Sequence, residues 1–183
     1  MTDCTPSDPT EHSRWRPLRL LQAAMDADIA RIYAEAQVRG LKPSFVMELL
    51  RLHARGPMTI TELARSVQLT HSAVSQKVAA MRAAGWVRTA AGTDARSKKV
   101  ALTAKASRVA GQLAAEWRAT EAAIAEIEAE IPYPLSQVVT DIEQALQRKS
   151  FHDRITEKLA SGPGGFSQAM DLVPEPGGPG KEI

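Results

Sequence analysis

Two short runs in this 183-residue sequence place side chains at spacings suited to recognising a polyanion. The first is Thr70-His71-Ser72 followed by Ser75, Gln76 and Lys77. At helical spacing Ser72, Ser75, Gln76 and Ala79 share a short, polar, unobstructed face, and the side chains of His71, Ser72, Ser75 and Gln76 can reach base edges in a DNA groove. The second is Asp94-Ala95-Arg96-Ser97-Lys98-Lys99-Val100-Ala101-Leu102-Thr103. Here an acid and an arginine head an alternating basic and apolar strand. A guanidinium at the tip of such a hairpin can enter a narrow minor groove, and Asp94 can orient Arg96 or pin the hairpin. Lys77, Arg82, Arg88 and Lys98 are the candidate phosphate cations.

The elements that must hold these residues are legible in the apolar spacing. Leu18, Leu21, Met25, Ile29, Ile32 and Ala36 predict a first helix, which Gly40 is expected to stop. A second helix runs from Pro43 to about His53 with Phe45, Val46, Leu49, Leu50 and Leu52 as its apolar face. Thr59-Ile60-Thr61-Glu62 has the spacing of a capping box and opens a short helix. Gln68-Leu69 makes a tight turn, and Thr70 caps the next helix, whose inward positions are Val74, Val78 and Met81. Gly85 ends it. Trp86-Val87-Arg88 and Lys98-Val100-Leu102 read as two strands of a hairpin. Thr103 starts a long helix carrying Val109, Leu113, Trp117, Ile124, Ile127 and Ile131, which Pro132-Tyr133-Pro134 breaks. A last helix carries Leu135, Val138, Val139, Ile142 and Leu146.

A helix-turn-helix followed by a hairpin is a winged helix. The run Pro57 to Ala64, the helix Thr70 to Met81, Gly85-Trp86-Val87, and Asp94-x-Arg96-x5-Leu102-Thr103 together resemble the MarR family of transcriptional regulators. The resemblance covers about residues 18–155. It implies a mainly α fold of about six helices with a two- or three-stranded wing, and N- and C-terminal helices that assemble a homodimer. It further implies two winged lobes on a pseudo-palindromic operator, and modulation by a small ligand or oxidant. Two features depart from the pattern. The wing tip is Ala90-Ala91-Gly92 rather than charged, and Ala106 stands where the family commonly has glycine.

The expected organisation is a loose leader over 1–16 and a MarR-like domain over 17–160. A Pro/Gly-rich flexible tail follows over 161–183. Within the domain the winged helix covers about 43–103, and the dimerisation helices about 17–39 and 104–160. The formal charge of +2 hides a segregation. From Met58 to Lys105 eight basic residues face two acids; from Glu116 to Glu143 seven acids face one arginine. The basic middle is a candidate polyanion face.

Other functions find little support. The sequence has no Gly-rich phosphate loop, nucleophile elbow or metal-ligand spacing, so neither an enzyme nor a cofactor is expected. His12, His53, His71 and His152 are scattered, and Cys4 has no basic neighbour to activate it. No apolar run reaches membrane-spanning length, and Met1-Thr2-Asp3-Cys4 does not begin a signal peptide, so cytoplasmic residence is the expectation. The competing reading is a winged helix that docks on a protein without sequence-specific DNA binding. The sequence-specific, ligand-responsive repressor remains the better fit, because base-edge helix, phosphate cations and wing arginine coincide. Trp117 and Tyr33 are candidates to line an effector cavity.

Overall fold

The computed structural model describes residues 8–91 and 98–161. The chain divides into two compact units, Met1–Thr120 and Glu121–Ile183.

In the first unit a 3₁₀ turn, Pro9–His12, is capped by Asp8, which accepts from the Thr10 N–H at 2.8 Å. Four helices follow: α1 (Arg16–Glu35), α2 (Pro43–Arg55), α3 (Ile60–Ser66) and α4 (His71–Ala83). Then come β1 (Val87–Ala91), β2 (Lys98–Leu102) and the start of α5 (Ala104–Glu130). The strands pair antiparallel, with Arg88 opposite Ala101 and Ala90 opposite Lys99. Met58 adds a one-residue bridge to Val100, exchanging both backbone hydrogen bonds at 3.0 and 2.7 Å. The wing thus has two strands and the rudiment of a third. The core gathers Phe45, Val46, Leu49 and Leu52 of α2 with Leu63, Val74, Val78, Met81, Trp86 and Leu113.

α1, α3 and α4 end in the same way. After each, one residue takes a left-handed backbone and two N–H groups turn back to the last turn's carbonyls, closing a Schellman motif. At α4 that residue is Gly85 (φ 74°), with Trp86 N–H bonded to the Met81 carbonyl. At α3 it is Gln68 (φ 55°), with Leu69 N–H bonded to the Ala64 carbonyl. At α1 it is Gln37 (φ 56°), with Val38 N–H bonded to the Tyr33 carbonyl. α1 therefore stops at Glu35, earlier than an end at Gly40 implies. Gly40 (φ 74°) instead turns the chain so that its carbonyl accepts from Trp86 Nε1 at 2.8 Å.

The expected capping box of α3 is present. Thr59 Oγ1 accepts from the Glu62 N–H, and the Glu62 carboxylate accepts from the Thr59 N–H at 2.7 Å. That backbone donor, then the Thr59 hydroxyl, holds the Glu62 carboxyl below the ordinary glutamate value. A carboxylate with a lowered folded-state pKa contributes stability above its unfolded pKa and loses it as the pH falls through the folded one. Glu62→Gln should therefore lower the denaturation midpoint at neutral pH, with the gap from wild type closing as the medium is acidified below the glutamate range. A gap that stays constant or widens in acid would mean that the charge on Glu62 contributes nothing to the cap.

The second unit holds the end of α5, α6 (Leu135–Arg148) and α7 (Phe151–Ser161). α6 is the last helix expected from the apolar spacing, and α7 is a further helix, set off where Lys149 takes an extended backbone (φ −155°). Glu128 Oε2 accepts from Ser136 Oγ and Oε1 from the Ser136 N–H, both at 2.7 Å, tying α6 to the end of α5 across the proline break. Neither α6 nor α7 has a buried residue. Leu135, Val139 and Leu146 on α6, and Phe151, Ile155 and Leu159 on α7, are exposed. The α7 trio repeats every fourth residue and lies along one face.

Candidate nucleic-acid interface

α4 carries most of the candidate contacts. Thr70 Oγ1 accepts from the Ala73 N–H at 3.2 Å and so fixes the helix start. Val74 and Met81 are fully buried and Val78 nearly so, which aims the opposite face outward. On that face Thr70, His71, Ser72 and Gln76 are exposed and Ser75 is half-buried. Arg82 is exposed near the helix end, as are Arg88 on β1 and Lys98 on β2. Asp94 and Arg96 lie outside the described residues.

Lys77 departs from its expected place among the phosphate cations. Its Nζ lies 2.8 Å from Glu48 Oε1 of α2, and its side chain is only 30% exposed against 0% for Glu48. The ammonium is committed to a buried carboxylate rather than presented to solvent. Sequence reasoning passed over Glu48. Yet it sits between Phe45, Val46, Leu49 and Leu52 on the buried stripe of α2, and an acid at such a position signals a required partner. Lys105, another cation of the basic middle, is likewise committed. Its Nζ lies 3.9 Å above the Trp86 ring and donates to the Arg39 carbonyl at 3.2 Å.

Trp86 joins the hairpin to the helices. Its ring is buried, its N–H is bonded to Gly40, and Thr103 N–H donates to its carbonyl at 3.1 Å. Thr103 Oγ1 also donates to the Gly85 carbonyl at 2.8 Å and accepts from the Ala106 N–H at 3.3 Å. One threonine thereby sets the end of α4, the exit of β2 and the start of α5. These ties fix the base of the wing relative to α4.

Tyr33 and Trp117, expected as possible partners in one cavity, line different ones. Trp117 lines a cavity of about 220 Å³ with Met47, Leu50, Arg51 and Ala54. Tyr33 lines another with Val38, Gly40 and Leu41. Its hydroxyl donates to Glu116 Oε2 at 2.8 Å, and Thr120 Oγ1 donates to Oε1 of the same carboxylate at 2.8 Å. Burial, then the bond to Glu116, pushes the Tyr33 hydroxyl well above the ordinary tyrosine value. No helix among the described residues is long and apolar enough to cross a membrane.

Residues 39–97, which hold α2, α3, α4 and the first strand of the wing, match the MarR family model. This segment is similar to the MarR family, and the match covers about a third of the chain. Solved structures agree on the fold. The S. aureus MepR–DNA complex is 14% identical, with 74% of this chain and 97% of that one covered at a TM-score of 0.56. A MarR protein from Peptoclostridium difficile is 17% identical, covering 81% and 90% at 0.51. The M. tuberculosis regulator MOSR in complex with DNA is 24% identical, covering 78% and 98% at 0.50. No curated protein matches the sequence.

Proposed function

We propose that this chain is a sequence-specific DNA-binding repressor that acts as a homodimer. The observation that carries the reading is α4, whose apolar stripe is buried while Ser72, Ser75 and Gln76 are presented outward beside exposed cations. In this reading His71, Ser72, Ser75 and Gln76 read base edges in the major groove. Thr70 at the helix start meets a phosphate, as the free N–H groups of a first helical turn allow. Arg82, Arg88 and Lys98 hold phosphates, and Arg96, positioned by Asp94, enters the adjacent minor groove. MepR and MOSR, whose folds this chain shares, have been solved bound to DNA.

The homodimer reading rests on apolar side chains left exposed on the helices that flank the winged helix. Leu20, Leu21 and Ile32 of α1 and Phe151, Ile155 and Leu159 of α7 are among them. Apolar stripes of this extent suit a second copy, and two-fold pairing is the commonest way to cover them. Two recognition helices held about 34–36 Å apart then match successive major grooves. A small effector that binds better to a different spacing lowers DNA affinity by population shift.

Gln76→Ala tests the assignment to base edges. It is expected to reduce discrimination between a selected duplex and random DNA by about 10-fold, with little change in affinity for random DNA. Equal losses on both, in paired titrations, would make Gln76 a backbone contact.

A further inference from the structure

We propose that the Glu48–Lys77 pair is a positioning device that sets the roll of the recognition helix, and that Lys77 is not a DNA contact. The inference rests on the DNA-binding reading above. Glu48 is fully buried, Lys77 Nζ is 2.8 Å from its Oε1, and its Oε2 has no hydrogen-bond partner among the described residues. Such a carboxylate leans on one ammonium. A pair of this kind adds little net stability over two apolar side chains, because desolvation consumes most of the attraction. What it adds is direction. The other anchors of α4 on the core, Val74, Val78 and Met81, are apolar, and apolar burial is non-directional. That burial aims the outer face of α4 outward, and the Lys77–Glu48 hydrogen bond adds a directional constraint between α2 and α4.

Rotation matters to the neighbouring residue. Gln76 precedes Lys77 and carries an amide whose base contacts need tight geometry. With a side-chain radius of about 5–6 Å, a roll of about 20° displaces the tip by about 2 Å. That exceeds the tolerance of a hydrogen bond. The pair ties α2 to α4 at the turn that bears Gln76, so the rotation is fixed where the reading is done.

The test compares wild type, the double variant Glu48→Leu/Lys77→Met, and Glu48→Gln on two probes. One is a duplex enriched by the wild type from a randomised library, and the other is the unselected library. For the double variant, the account predicts a cooperative fold and a wild-type salt slope, with discrimination between the probes reduced about 10-fold. Glu48→Gln keeps the volume but removes the negative charge that holds the ammonium. It should also lose discrimination and should bind the unselected library with a steeper salt slope, as Lys77 becomes available to phosphate. A folded double variant with wild-type discrimination would overturn the proposal. So would a double variant whose salt slope falls by about 0.9, the loss expected for one phosphate contact. If the double variant fails to fold, Glu48→Gln decides alone: unchanged discrimination overturns the proposal. A wild type that enriches no duplex removes the DNA-binding reading, and this inference with it.

Discussion

Replacing Lys77 with methionine should destabilise the protein by about 3–5 kcal/mol, the cost of leaving a buried carboxylate without its counter-charge. Glu48 is 0% exposed, and its second oxygen already has no partner among the described residues, so nothing nearby stands ready to replace the ammonium. Because Lys77 is 30% exposed, water reaches the site from that side and holds the cost toward the lower end of the range. Against a total stability of about 5–15 kcal/mol, the loss is large. The double variant Glu48→Leu/Lys77→Met should recover most of it, since a buried pair replaced by apolar groups of similar volume is often neutral or stabilising. The checking measurement is a double-mutant cycle from denaturant midpoints. If the two single losses simply add in the double variant, the pair has no coupling energy and the structural account of Lys77 is wrong.

Trp86→Ala should cost about 3–5 kcal/mol from lost burial and the cavity left behind. The ring is fully buried in the core, and it serves three neighbours at once: the Gly40 carbonyl, the Lys105 ammonium and the start of β1. Trp86→Phe separates these contributions. It keeps most of the burial, leaves the Gly40 carbonyl without its donor and weakens the seat of Lys105, for an expected loss of about 1–3 kcal/mol. DNA affinity should fall in the phenylalanine variant even where it remains folded, since the base of the wing is no longer fixed to Gly40. A phenylalanine variant with wild-type stability would show that the indole hydrogen bond contributes nothing.

The sequence disclosed most of the scaffold, for identifiable physical reasons. The inward stripe of α4, the capping box of α3 and the Thr70 cap depend on local spacing, and the structure has all three. The end of α1 falls before Gly40 because Gln37 performs the role of left-handed terminator, which is usually read from glycine. The expected last helix matches α6, whereas the additional helix α7 is announced by no glycine or proline at Lys149, only by an extended residue followed by Ser150, which accepts from the Asp153 N–H at 3.1 Å. Among the proposed site residues, the exposure of Ser72, Gln76, Arg82, Arg88 and Lys98 agrees with their expected outward placement. Lys77 reads as a phosphate cation and Lys105 as part of the basic middle because one-dimensional charge says nothing about partners distant in sequence. Glu48 lies 29 residues from Lys77, and Gly40 lies 46 from Trp86. Those pairings exist only once the helices pack.

The most direct test of the central claim is the salt dependence of binding to a duplex enriched by the protein from a randomised library. The account predicts that log affinity falls linearly with log salt concentration, with a slope of about −0.9 for each phosphate neutralised. Arg82→Ala and Arg88→Ala should each reduce that slope by about one unit, while the selected duplex remains preferred over random DNA. A protein that enriches no duplex, or whose binding is indifferent to salt, would contradict the account and leave the winged helix to a protein partner.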